Sequence, residues 1–139
     1  MKLSTKVTYA VRSLVDLLKN YDNKPVSIKE IAERQNISHR YLENIFTKLR
    51  QEGILESIKG NNGGFFISKN PRDISLLNII EILDGPISVA KCVKHVEKCD
   101  METTCFTNYM WKRVNIKIEK IFNEISLEDL LNDLEVCDR

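Results

Sequence analysis

The stretch from Ser27 to Ile67 leaves the chain little choice of what to form. Ser27-Ile28-Lys29-Glu30 has the pattern of a capping box, in which the Ser hydroxyl accepts from a free helix amide and Glu30 reaches back to the amide of Ser27. Ile28, Ile31 and Ala32 then share one face of a short helix that ends near Asn36. Ile37-Ser38 turns the chain, with Ser38 as a second N-cap. In the next helix Leu42, Ile45, Phe46 and Leu49 face inward at three- and four-residue steps. His39, Arg40, Glu43, Asn44, Thr47, Lys48 and Gln51 are left outside. Gly53 stops that helix, Ile54–Ile58 reads as a strand and Phe65–Ser68 as its return. Between them Lys59–Gly64 is a turn, and Asn62-Gly63 is a strong hairpin signal. Helix, turn, helix and hairpin in this order define a winged helix-turn-helix, whose second helix lies in a DNA major groove.

The flanking segments extend this unit. Residues 4–19 form a helix with Val7, Ala10, Val11, Leu14 and Leu18 as its inner stripe, and with Lys6, Arg12, Asp16 and Lys19 outward. Ser75 caps a helix carrying Leu76, Ile79, Ile80 and Leu83, which Asp84-Gly85-Pro86 ends. From about Thr103 a longer helix begins, with Phe106, Met110, Val114, Ile118, Ile121, Phe122 and Ile125 on one stripe. Tyr109, Trp111 and Ile116 lie off that stripe, so apolar surface remains for another partner, most simply a second copy of the chain. Ser126-Leu127-Glu128-Asp129 caps a last helix with Leu127, Leu130, Leu131 and Leu134 inward. The fold class is thus mainly α with a small β-hairpin. A winged helix-turn-helix occupies 1–85, a cysteine-bearing loop 86–105, and a long dimerisation helix with a short C-terminal helix 103–139.

Charge is uneven along the chain. Residues 1–70 hold 12 Lys/Arg against 7 Asp/Glu, whereas residues 71–139 hold 9 against 13. A basic first half suits a polyanionic partner. The first 20 residues show no continuous apolar run of signal-peptide type, and no stretch approaches the ~20 apolar residues of a membrane span. These features predict a cytoplasmic protein without a membrane partner. They also give no support to an enzyme: neither His39 nor His95 belongs to a recognisable triad, and no phosphate-binding Gly-rich loop or paired-carboxylate motif is present.

On a double-stranded DNA operator the outward residues have distinct chemistries. Arg40 can donate two bonds to guanine, Asn44 can pair with adenine, and Glu43 can accept from the cytosine amino group. His39 shares their exposed face, while Ser38, Thr47, Lys48 and Lys59 suit phosphate. Gly60, Asn61, Gly63 and Gly64 form a wing tip whose small residues let its backbone approach a sugar-phosphate edge.

Cys92, Cys99 and Cys105 stand as C-x6-C-x5-C, with Cys137 far away. Three soft thiolate donors within 14 residues point to a metal or iron–sulfur site. With His95 between the first two, a tetrahedral zinc site is also stereochemically open, as is a metal-free thiol switch. A chance cluster of buried cysteines is the plain alternative.

Over nearly its full length the sequence resembles bacterial winged-helix regulators of the IscR and NsrR type. The match runs through Met1–Lys6 with Tyr9-Ala10, Val26–Ala32, Ile37-Ser38, Tyr41–Glu43, Lys48–Arg50, Gly60–Gly64 and the three cysteines. The resemblance implies a homodimeric transcription factor, acting as a repressor, whose long helix crosses its twin. It implies an iron–sulfur cluster, 2Fe-2S or 4Fe-4S, on Cys92, Cys99 and Cys105, which reports on iron–sulfur supply, nitric oxide or redox state. Glu43 matches the position at which the IscR type tunes preference between promoter classes. The family's Arg before the wing glycines is Lys59 here, and its wing-tip Pro is Asn61 or Asn62. Where the IscR type has a His three residues past the third cysteine, this chain has Asn108. The region matching the acidic ligand of the NsrR type offers Thr8 and no carboxylate. The fourth ligand is left open among His95, Asn108, a small thiol and a residue of the other subunit. Some relatives hold no cluster and repress cysteine metabolism. Other readings of the chain are a zinc-structured or thiol-switched repressor and a winged-helix module that binds protein.

Overall fold

The computed structural model describes residues 2–93 and 105–137. Along the chain run α1 (Thr5–Asn20), α2 (Ile28–Gln35), α3 (His39–Gln51), β1 (Leu55–Ile58), β2 (Gly64–Ile67), α4 (Leu76–Asp84), α5 (Phe106–Asn123) and α6 (Leu127–Cys137), with a short 3-10 turn at Pro71–Asp73. This is the expected mainly helical fold with one hairpin. Its core joins Leu14 and Leu17 of α1, Ile31 of α2, Leu42, Phe46 and Leu49 of α3, and Ile79 and Ile80 of α4. Each such side chain contributes about 1.5–3 kcal/mol on burial, so the apolar stripe decides which way α3 faces.

Ser38 caps α3 as expected, its hydroxyl accepting from the Tyr41 amide at 3.4 Å. Ser75 and Asn78 form a reciprocal capping box at α4, with bonds of 3.1 and 3.0 Å. Ser27 behaves differently. It holds the N-cap position of α2, but its hydroxyl makes no capping bond. The direction of the chain there is set by Val26, which exchanges backbone hydrogen bonds of 2.9 and 2.8 Å with Phe65 of the hairpin. A Cβ on Gly64 would lie 2.4 Å from the Val26 carbonyl oxygen, so this bridge needs glycine.

The hairpin also departs from its expected form. β1 pairs antiparallel with β2 from Leu55 opposite Ile67 to Ile58 opposite Gly64, one residue earlier than expected on the return strand. The turn centres on Asn61-Asn62 rather than Asn62-Gly63, closed by the Gly63 amide on the Gly60 carbonyl at 3.0 Å. Gly63 is small because a Cβ there would strike the Ile58 carbonyl at 2.1 Å. Gly63 and Gly64 thus serve packing within the protein, whereas Gly60 of the same turn, at φ +117°, sits over open space.

The C-terminal helices fold back on this unit. A short bridge links Ser75 with Ser126, through the Leu76 amide on the Ile125 carbonyl at 2.7 Å and the Leu127 amide on the Ile74 carbonyl at 2.9 Å. Leu127 is fully buried, and Leu130, Leu131 and Leu134 pack on the same core. In α5 the expected inner stripe is only partly inside: Ile118 and Phe122 pack on the core, whereas Phe106 and Ile121 are exposed. The residues that α5 buries are two asparagines, Asn108 and Asn115. Among the described residues, no helix is long and apolar enough to cross a membrane.

Candidate nucleic-acid interface and cysteine site

With Leu42, Ile45, Phe46 and Leu49 buried, geometry puts the opposite face of α3 outside. His39, Arg40, Glu43, Asn44 and Lys48 are exposed and Thr47 is half-buried. His39 Nδ1 lies 3.8 Å from Glu43 Oε2, one helical turn on. Arg50, at the far end of α3, donates to the Ser57 hydroxyl at 3.0 Å and fastens the helix to β1. Phe46 meets Phe65 edge-to-face at 5.2 Å between ring centres, a second tie between helix and hairpin. Lys59, Gly60 and Asn61 are exposed on the hairpin that these ties hold beside α3.

The pitch of α2 against α1 rests on a polar cluster that sequence reasoning missed. Asp16, read as an outward residue, is only 5% exposed. It accepts from Arg34 Nε at 3.0 Å and Nη2 at 2.7 Å, and from Gln35 Nε2 at 2.8 Å. Hydrogen bonding to Asp16 raises the pKa of the Arg34 guanidinium above its ordinary value. Arg12 adds a bond of 2.7 Å to the Gln35 carbonyl at the end of α2 and stacks over Tyr9, which meets Tyr41 edge-to-face. A buried carboxylate requires this degree of pairing. A signal was present in the sequence: Leu14, Val15, Leu17 and Leu18 surround Asp16, so the second half of α1 is apolar on more than one face.

Cys105 is the N-cap residue of α5. Its Sγ lies 2.9 Å from Thr107 Oγ1, and that hydrogen bond, followed by those from the Asn108 and Thr107 amides, holds its pKa below the usual thiol range. A helix N-terminus favours a thiolate for the same reason, and the thiolate is the form that ligates metal. One turn into α5, Asn108 is buried and its Nδ2 has no hydrogen-bond partner among the described residues. Cys92 is half-buried on the other limb. Cys99 and His95 lie outside the described residues. A ligand group of three His, Cys, Asp or Glu is not assembled among the described residues. A cysteine at a helix N-terminus with a lowered pKa, and a buried amide donor one turn away, fit a soft, sulfur-bridged metal group.

A family profile described as Rrf2, an iron-dependent transcriptional regulator, matches residues 3–133. The chain belongs to the Rrf2 family. It is 34% identical to the HTH-type transcriptional regulator IscR of Vibrio atlanticus over 142 aligned positions, covering all of this chain and 82% of that one. Among solved structures it is similar to T. potens IscR, with 35% identity, a TM-score of 0.79, and coverage of 100% and 92% of the two chains. It is similar too to CymR, the global cysteine regulator of B. subtilis, with 32% identity, a TM-score of 0.80, and coverage of 95% and 97%. This Rrf2-family chain is therefore a transcriptional regulator with a DNA-binding winged helix, and not an enzyme. The expectation drawn from the sequence motifs and the IscR-type resemblance is met at that level.

Proposed function

We propose that this regulator acts as a homodimeric repressor whose operator binding follows the state of an iron–sulfur cluster on Cys92, Cys99 and Cys105. The observation that carries the sensing half is the position of Cys105, the N-cap of α5 with its Sγ 2.9 Å from Thr107 Oγ1, at the start of the helix whose exposed face offers the dimer contact. Phe106, Tyr109, Ile116 and Ile121 of α5 are exposed large apolar side chains, and a second α5 is the surface that covers them. Two α3 helices then reach half-sites about 34–36 Å apart on one face of the duplex. Arg40, Glu43 and Asn44 read bases. Ser38, Thr47, Lys48, Lys59, Gly60 and Asn61 contact the backbone and set the register, with His39 oriented by Glu43 at the helix start. The DNA-binding unit is residues 1–85, the sensor segment 86–105 and the dimerisation unit 103–139.

When bound, the cluster supplies one-electron redox chemistry at a potential set by surrounding hydrogen bonds. The chain's own contribution is to lower the Cys105 pKa through the hydrogen bonds of Thr107 and Asn108, to hold Cys92 on a limb anchored to α5, and to offer the Asn108 amide as a donor. The likeness to the cysteine regulator supports a second reading, a thiol switch without metal. Anaerobic purification with metal analysis and an absorption spectrum separates the two. Visible bands with stoichiometric iron and sulfide support the cluster. A colourless protein whose operator affinity still changes on thiol oxidation supports the switch, and stoichiometric zinc contradicts both.

A further inference from the structure

At the middle of α5 lies a polar residue that neither the DNA-binding face nor the ligand set accounts for. Asn115 is 2% exposed, and every main capacity of its amide is used. Its Nδ2 donates to the Ile87 carbonyl at 3.1 Å and to the Glu119 carboxylate at 2.8 Å. Its Oδ1 accepts the Val89 amide at 3.0 Å. Burying an unmatched amide is costly, and this one is matched on both its donor and its acceptor side. Two of the three partners are backbone groups 26 and 28 residues earlier in the chain, on the limb that leaves α4.

That limb leads directly to the first sensor cysteine. Ile87 is buried and pins the base of the limb. Ser88 then bonds the Ala90 carbonyl at 2.6 Å, and the Val93 amide bonds the same carbonyl at 3.1 Å, so the chain turns tightly at Cys92. Cys92 follows Val89 by three residues, and Asn115 lies ten residues beyond Cys105 on the helix that Cys105 caps. One side chain therefore grips, through their backbones, two residues of the Cys92 limb and holds them against the Cys105 helix.

We infer that Asn115 is the positioning residue that ties the Cys92 limb to α5, so that a change at the cysteines moves the dimerisation helix instead of being absorbed in the limb. The inference rests on the sensing reading above, and its test separates the two. Asn115→Leu keeps the branched outline of the side chain, with somewhat larger volume, and removes all three bonds. In the full-length dimer, the variant is expected to bind operator in its metal-free form within about threefold of wild type. Amide hydrogen exchange over residues 87–93 should rise by at least about tenfold, with exchange in α1–α4 and the hairpin unchanged. The shift in operator Kd on anaerobic loading with iron and sulfide should fall to less than about a third of its wild-type size, on a scale of coupling that commonly spans 5–150-fold. Unchanged exchange at 87–93, or raised exchange with a full loading effect, overturns the inference. A wild-type protein whose operator Kd ignores loading overturns the sensing reading, and the exchange result then still decides whether Asn115 holds the limb. Should the Leu variant fail to fold, Glu119→Ala removes the carboxylate that accepts from the Asn115 amide and leaves both backbone bonds of Asn115 in place. It is expected to move both readouts in the same direction by a smaller factor, and no movement in either overturns the proposal.

Discussion

α3 and α5 are both amphipathic helices, and they divide their surfaces in opposite ways. α3 buries Leu42, Ile45, Phe46 and Leu49 completely enough that what remains outside is polar. α5 buries Asn108 and Asn115, while Phe106 is 76% exposed and Ile116 66%. The first pattern is a finished protein surface, open to a polyanion that offers hydrogen-bond partners and charge. In the second, the buried Asn115 serves the limb packed against it, and large apolar side chains lie outside. The difference fits the proposed division, in which α3 reads DNA and α5 carries the dimer contact and the cysteine site.

The sharpest way to break this contrast is to truncate one aromatic on each helix. Phe46→Ala should cost about 3–5 kcal/mol in urea unfolding, since it opens a cavity in the core. Phe106→Ala should leave unfolding of dilute protein within about 0.5 kcal/mol, because it removes an exposed side chain. Equal losses would mean that α5 is a core helix like α3.

Next in size is the proposed dimer. Ile116→Asp places a charge in the exposed apolar face of α5 and should convert the dimer to monomer in sedimentation velocity. Operator affinity should drop by at least about tenfold, because two linked half-sites become two separate binding events. A third substitution addresses α3. Arg40→Ala should weaken specific binding by about 1–3 kcal/mol and affect random duplex less. Equal loss on both duplexes would make Arg40 a phosphate contact.

The smaller effects concern the starts of α5 and α6. In a chain lacking the other cysteines, Cys105 should react with iodoacetamide with a pH midpoint below that of free cysteine, because Thr107 and the first helix amides favour its thiolate. Thr107→Val should move that midpoint upward. At α6, Asp129 accepts from the Ser126 amide at 2.8 Å and the Ser126 hydroxyl at 2.9 Å, bonds that hold its carboxyl below the usual carboxylate range. A depressed folded pKa contributes stability above the unfolded pKa and loses it as pH falls through the folded one. Asp129→Asn should therefore lower thermal stability slightly at neutral pH and make no difference below the carboxylate range.

Much of the first half was legible because its signals are local. A cap at Ser38, a four-residue apolar stripe and a stop at Gly53 fix α3 whatever surrounds it. Ser27 and Gly64 show where local reading ends. The residues at the start of α2 look like a capping box, yet Ser27 makes no capping bond, and the Val26–Phe65 bridge, formed across almost 40 residues of chain, fixes the approach to the helix. Gly63 and Gly64 suggested an approach to DNA, whereas a carbonyl of the protein itself stands where each Cβ would be. Asp16 and Asn115 were illegible for a related reason. A polar residue reads as outward by pattern, and only the tertiary partners, Arg34 and Gln35 for the one and Ile87 and Val89 for the other, make it an inward one. At the cysteines the spacing was visible, but the thiolate-favouring geometry of Cys105 depends on α5 starting there, a boundary that periodicity had put at about Thr103.

The central claim is that the cysteine site governs DNA binding through α5. It is tested most directly by anaerobic fluorescence-anisotropy titration of an operator selected from random duplexes, using metal-free protein, iron- and sulfide-loaded protein, and the Cys92→Ala/Cys99→Ala/Cys105→Ala variant. Loading should change the wild-type Kd by about tenfold, within the usual range of coupling between two sites, and leave the triple variant unmoved. A wild-type Kd that is the same loaded and metal-free, and equal to that of the triple variant, contradicts the claim.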